Sequence, residues 1–322
     1  MIEFEHELDA LHERIGELKN GVEFNSGPSI SQELDTLQLE LEARTADVFS
    51  KLTPWQRVQL ARHPKRPHTN DLIGAMLTGF TELHGDRHHG DDPAIVAGLA
   101  YLHDKRVVVV GHQKGRTTNE NVERNFGMAH PEGYRKALRL FALAERFNLP
   151  VLTFLDTPGA SPTLDDEERG QSWAISENMA KLAGLRVPII VSIIGEGGSG
   201  GALAIGVGDR ILMLEHAIYS VASPEAAASI IWRDAKFAEN AAAALRLTAE
   251  DLYAMGLVDR VVREPPGGAH RDFAATAKEL SAAIVNALGE LQSVDRDELV
   301  EARYTKFKNM SIHTSINTPS DG

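Results

Sequence analysis

From Trp55 onward, short apolar runs that end at glycine or turn residues alternate with helical patterns. This alternation constrains the fold more than any other feature of the chain. The runs at 95–100, 107–111, 151–155, 189–194, 211–214, 218–221 and 258–262 predict strands. Helical spacing at 133–147, 170–185, 199–207, 224–232, 235–245, 249–255 and 272–288 predicts helices. Strand and helix in turn predict an α/β fold, with a largely parallel sheet and helices packed on it. With 322 residues, 43% of them apolar, the chain can bury a large core and carry a second small unit.

The small unit is expected at the N-terminus. Phe4, Leu8, Leu11, Ile15 and Leu18 repeat at heptad spacing. Asn20-Gly21 ends that helix, and Ser26-Gly27-Pro28-Ser29 reads as a turn. Leu34, Leu37, Leu41, Val48 and Leu52 form a second stripe. Residues 1–54 therefore predict a helical hairpin, 55–292 the main domain, and 293–322 a helix end and polar tail, the tail starting at Thr305. Two short helices bury little surface alone, so the hairpin packs either on its own chain or on a partner.

Net charge is −13, a poor basis for binding nucleic acid. The absence of cysteine excludes disulfides, thiolate nucleophiles and cysteine-based zinc sites. Met1-Ile2-Glu3-Phe4-Glu5 is too acidic for a signal or transit peptide, and no apolar stretch approaches the roughly 20 residues of a membrane span. The expectation is a soluble, cytoplasmic protein.

The chemistry concentrates in two glycine-bearing stretches. Gly195-Glu196-Gly197-Gly198-Ser199-Gly200-Gly201-Ala202 follows the run 189–194 and opens a helical pattern. Glycine lets the backbone approach a ligand, and a helix start leaves N–H groups unpaired, so this stretch suits negative charge. Asp156-Thr157-Pro158-Gly159-Ala160 ends the run 151–155 in the same way. Two such turns on one parallel sheet should face one crevice beyond the carboxyl ends of the strands. Gly195-x-Gly197-x-x-Gly200, with Glu215 twenty residues on, also matches a dinucleotide fingerprint, so a nicotinamide-dependent dehydrogenase is a competing reading.

Two charged segments stand out. Between Lys105 and Arg146, nine basic side chains face four acidic ones, which suggests an anionic partner or a solvated helix face. His84-Gly85-Asp86-Arg87-His88-His89-Gly90-Asp91-Asp92 resembles a metal site in composition, but its spacing favours a surface loop. No Ser-His-Asp order can be argued, Gly198-Ser199-Gly200 is not read as a nucleophile elbow, and no protein base accompanies the glycine turns. The reactive group is then expected on a cofactor or substrate.

Gly111-His112-Gln113-Lys114-Gly115-Arg116, Arg124-Asn125-Phe126-Gly127-Met128, the stretch 131–140, Asp156–Ala160 and the stretch 195–206 together resemble the alpha subunits of bacterial acetyl-coenzyme A carboxylase carboxyltransferase. Leu60-Ala61-Arg62-His63-Pro64 and Gly267-Gly268-Ala269-His270-Arg271 fit as well, and the resemblance runs to about Tyr304. It implies a crotonase-like (ClpP/crotonase) superhelix of ββα units. It implies an alpha chain paired with a separate beta subunit as an α2β2 heterotetramer, with biotin carboxyl carrier protein and biotin carboxylase as further partners. The implied reaction moves carboxyl from carboxybiotin, held on the carrier and not on this chain, to acetyl-coenzyme A, giving malonyl-coenzyme A for fatty acid biosynthesis. Biotin is then the base, and the charge to be held is that of its enolate.

By the same resemblance, the N–H groups of Gly200, Gly201 and Ala202 form the oxyanion hole, with Gly159 and Ala160 as the opposite wall. Gly197, Gly198, Ser199, Lys114 and Arg116 are the expected substrate-binding residues. The family's zinc ribbon lies on the beta subunit, so no metal is expected here. Ser161 and Thr163 stand where the family commonly has Tyr and Gly, and Ala226-Ala227 replaces Gly-Cys. A non-catalytic scaffold subunit of the same complex is a further reading.

Overall fold

A computed structural model describes residues 2–22 and 28–310 of the chain. Eight strands form one sheet: β1 (Thr78–Glu82), β2 (Ile95–Leu102), β3 (Lys105–His112), β4 (Val151–Thr157), β5 (Ile189–Gly198), β6 (Arg210–Leu214), β7 (Ile218–Ser220) and β8 (Arg260–Val262). Their order is β1-β2-β3-β4-β5-β6-β8, with β7 paired to β5. β1, β2 and β3 pair antiparallel, and from β3 onward every pairing is parallel. Helix Pro131–Phe147 crosses from β3 to β4, and helix Gln171–Gly184 from β4 to β5.

All seven expected strands are present. β1 is additional. It is a mostly exposed edge strand, Thr-Gly-Phe-Thr-Glu, with little apolar signal of its own. Its seat is made by the neighbour: a Cβ on Gly98 of β2 would lie 2.3 Å from the Thr81 carbonyl. Val107–Val110 of β3 and Ile189–Val191 of β5 are fully buried, as strands covered on both faces require. Each such side chain contributes about 1.5–3 kcal/mol on leaving water.

The seven expected helices are present, Pro224–Trp232 with the expected ends and the others with shifted ones. The one after β5 covers only Ser199–Leu203, and past its end Gly206 packs where a Cβ would meet the Ala202 carbonyl at 2.6 Å. The pattern at 235–245 divides into a 3-10 turn, Ala235–Phe237, and helix Ala238–Leu245. Helices Pro54–Ala61, Thr69–Met76, Thr118–Glu123, Leu164–Glu168 and Arg296–Lys308 were not expected. The last replaces the expected start of a tail at Thr305. Arg303 is buried there, bonds Asp209 at 2.8 Å, and donates to the carbonyls of Leu182, Leu185 and Val187. Residues 311–322 of that expected tail, and the Ser26-Gly27 part of the expected turn, lie outside the described residues.

Helices His6–Val22 and Pro28–Ser50 form the N-terminal hairpin, with Leu8 and Ile15 of the heptad stripe buried. It seats on its own chain. Buried Glu5 accepts from His270 at 2.9 Å and Arg271 at 3.1 Å, and Phe49 packs edge-on against His216.

Candidate active site

β4 and β5 end side by side, with Thr157 opposite Gly197, so the two glycine turns leave neighbouring strand tips. They touch. A Cβ on Gly201 would lie 2.5 Å from the Gly159 carbonyl carbon and 2.6 Å from the Ala160 nitrogen. A Cβ on Gly198 would lie 2.1 Å from the Pro158 oxygen. The glycines let one turn nest against the other.

Helix Ser199–Leu203 begins at exposed Ser199, whose φ is +52°, a strained value outside glycine. No side chain caps it. Thr53, Thr117, Thr163, Ser223, Thr248, Asp272 and Asp295 each cap the helix that they precede. The first N–H groups, at 199–201, thus lack both side-chain caps and i−4 partners, while that of Ala202 makes the helix's first bond, to the Gly198 carbonyl. Ala160 N–H has no acceptor among the described residues, whereas Gly159 N–H is occupied by Thr157 Oγ1 at 3.1 Å.

The structure narrows the expected site. Gly197 and Gly198 are buried members of β5, paired with Tyr219 and Ser220 of β7, and Gly197 makes room for the Tyr219 ring. Gly195 makes room for the Asp156 carboxylate, 2.3 Å from where its Cβ would be. The donor stretch therefore runs from Ser199 to Gly201, with Ala160 opposite; the expected donor Ala202 has its N–H on the Gly198 carbonyl inside the helix. Gly200 is open, its nearest neighbour being Ile175 Cδ1 at 3.6 Å from a placed Cβ.

Lys114 and Arg116 are near the site, but their charges are already partnered. Lys114 Nζ lies 2.8 Å from Asp156 Oδ1 and 2.9 Å from Glu196 Oε1. Glu196 also takes Arg62 Nε at 2.9 Å, and Arg62 reaches Glu225 at 2.6 Å. Burial alone would lower the Lys114 pKa, but the two carboxylates more than offset it and hold it above its usual value. Burial likewise works against ionised Glu196, and Lys114 and Arg62 override it and hold its pKa down. Arg116 bonds Asp71 and donates to the Pro64 carbonyl at 2.9 Å. Beside these groups lies a cleft of about 450 Å³, bounded by Arg62, His68, Phe126 and Pro158. Phe126 projects half-exposed from a left-handed turn, with φ of +44°, +55° and +80° at Asn125, Phe126 and Gly127.

Sequence reasoning missed His112 and Glu196. His112, at the end of β3, is fully buried, and burial pulls its pKa down to about 4, so it is neutral near pH 7. In the sequence it is marked only by its place in the motif Gly111–Arg116, two residues before Lys114. Glu196 stood inside the glycine stretch, but its partners are remote in sequence.

The two charged segments answer each other. Arg135 bonds Asp86 at 2.8 Å, Lys136 bonds Asp91 at 2.6 Å, and Arg139 donates to the carbonyls of Leu83, His84 and Gly85. Asp86 also accepts the N–H groups of His88, His89 and Gly90. Burial works against its charge, but Arg135 and these donors more than offset it and hold its pKa far below the usual value. The loop is an ion-paired corner, and the expected anion partner of the helix is this loop. Among the described residues, Glu5, His63 and His270 could together hold a metal ion. Arg271 sits on the same Glu5 oxygen, which accounts for the group as the hairpin's anchor.

Ser161 and Thr163 both bond Asp166 Oδ2, and Thr163 also caps helix Leu164–Glu168. The dehydrogenase reading does not fit. The helix after the fingerprint has five residues, and Glu215 is bound to Arg263 and to Glu264 N–H.

Comparison with known proteins agrees with this geometry. The profile of the family described as acetyl co-enzyme A carboxylase carboxyltransferase-like matches residues 1–311. The chain belongs to this family. It is 53% identical to the acetyl-coenzyme A carboxylase carboxyl transferase subunit alpha of Stenotrophomonas maltophilia over 97% of this chain and 98% of that one. Among solved structures, a Pseudomonas malonate decarboxylase hetero-tetramer in complex with coenzyme A superposes with a TM-score of 0.56 at 19% identity, covering 67% of this chain and 86% of that one. Transcarboxylase 12S superposes with a TM-score of 0.54 at 20% identity, covering 68% of this chain and 42% of that one. The fold of this family member is the crotonase-like fold of the carboxyltransferases.

Proposed function

We propose that this chain is the alpha half of a carboxyltransferase that moves a carboxyl group from carboxybiotin on a carrier protein to acetyl-coenzyme A, giving malonyl-coenzyme A. The observation that carries this reading is the nesting of Gly201 against Gly159 and Ala160, in a chain that matches alpha subunits along nearly its whole length. The uncapped N–H groups from Ser199 to Gly201, with Ala160 opposite, are suited to hold an oxyanion. Gly200 leaves space for a ligand at that point. When bound, biotin supplies the carboxyl group and the base.

The charged side chains closest to the array are spent on one another. This supports a reaction in which the chain orients its ligand and holds charge. The beta subunit is the proposed cover. Val221, just past β7, and Ile230 and Ile231, near the end of helix Pro224–Trp232, are exposed at 77%, 76% and 61%; β7 pairs with the tip of β5. Exposed apolar surface of this kind marks an interface. The test is reconstitution with a beta subunit and carboxylated carrier. Malonyl-coenzyme A should form only with both chains present. Undiminished formation by the beta subunit alone would reduce this chain to a scaffold.

A further inference from the structure

We infer that Lys114 is a positioning residue that ties the two glycine turns together, and that its ammonium does not contact substrate. The inference rests on the function proposed above.

Lys114 leaves the end of β3, the strand next to β4, and its ammonium bridges one carboxylate from each turn. Asp156 immediately precedes the turn at Thr157–Ala160, and Glu196 lies inside the β5 stretch. Asp156 Oδ1 also accepts the Glu196 backbone N–H at 3.2 Å. One carboxylate oxygen therefore joins Lys114, the backbone of β5 and the start of the opposite turn. Gly127 seats the lysine stem: a Cβ there would meet Lys114 Cγ at 3.0 Å and the Asp156 carbonyl at 2.8 Å. The stem is thereby fixed with the ammonium turned inward. Lys114, Asp156 and Glu196 side chains are 14%, 4% and 8% exposed, so solvent screens the set little. Arg62 and Glu225 continue the chain of pairs to helix Pro224–Trp232. His68 and His112 face the charges of Asp156 and Lys114, and Arg116 faces His68.

The alternative for Lys114 is direct contact with an anionic substrate group. The two roles differ in what removal of charge does. In Lys114→Met, two buried carboxylates lose their shared counter-ion and repel across the gap between the turns. One of them then takes a proton most readily at low pH. In Lys114→Met/Asp156→Asn, the net charge of the set matches wild type, and the introduced amide oxygen can still accept the Glu196 N–H.

The experiment uses the full chain assembled with its beta subunit. Malonyl-coenzyme A formation is followed from pH 6 to pH 8, roughly the range in which the holoenzyme can be compared. Lys114→Met should lower kcat by about 100-fold or more, with the KM for acetyl-coenzyme A little changed. Its rate relative to wild type should rise as pH falls. The double variant should recover about tenfold or more of the lost kcat. Folding of each variant is checked by its denaturation midpoint. A double variant that folds and assembles yet stays as inactive as Lys114→Met would overturn the inference and assign Lys114 to substrate. A KM rise with unchanged kcat would overturn it equally. An inactive wild-type assembly would instead refute the proposed function.

Discussion

Gly200 and Gly201 are adjacent in sequence and differ in what a side chain would meet. At Gly201 a Cβ collides with backbone at 2.5 Å, and backbone cannot swing aside as a flexible side chain can. Gly201→Ala should therefore destabilise the protein by about 1–3 kcal/mol, seen as a lower denaturation midpoint. An unchanged midpoint would mean that the two turns do not nest as described. Sequence alone marked both glycines as donors. It could not divide the stretch into glycines that seat a neighbour (195, 197, 198 and 201) and one that leaves room for a ligand (200). That division depends on Asp156, Tyr219 and Pro158, which arrive from other strands.

Between elements, the most consequential tie is Arg66 with Glu264. Arg66 reaches the β5 carbonyl of Ile194 at 2.7 Å and Glu264, beyond β8, at 2.6 Å. Glu264 also accepts from the N–H groups of His216 and Ala269. Burial opposes its charge, but Arg66 and these donors override it and lower its pKa from 4.5 to about 2. A depressed carboxyl stabilises the fold above its unfolded pKa and loses that contribution as pH falls toward its folded one. Stability should therefore decline between about pH 4.5 and about 2. Glu264→Gln should cost about 3–5 kcal/mol at pH 7, because Arg66 stays buried, and the gap to wild type should close on acidification. Denaturant titrations at pH 7 and pH 3.5 read this difference, and a pH-independent gap would contradict it. Elements of this kind set the limit of sequence reading. The long apolar strands were legible because their burial is written in consecutive residues. β1 and the short capped helices were not, since neighbours and caps stabilise them. Lys114 and Arg116 read as free charge for the same reason: their partners, Asp156, Glu196 and Asp71, are brought close only by the sheet.

For the molecule as a whole, the sheet serves to bring two strand tips together at an open surface. The ordinary bulk of the fold is buried behind them, with the basic helix Pro131–Phe147 answered by its acidic loop and the C-terminal helix held by Arg303. What stays open is the helix start at Ser199, and Val221, just past β7, is exposed as well. The central claim is that the N–H groups from Ser199 to Gly201 hold charge during carboxyl transfer. Gly200→Val tests it most directly, because Gly200 lies within the donor stretch and a Cβ there has only Ile175 close by, at 3.6 Å. In the assembled holoenzyme, this variant should keep its denaturation midpoint and its binding to the beta subunit while malonyl-coenzyme A formation falls by about 100-fold or more. A variant that assembles and turns over within about threefold of wild type would contradict the account.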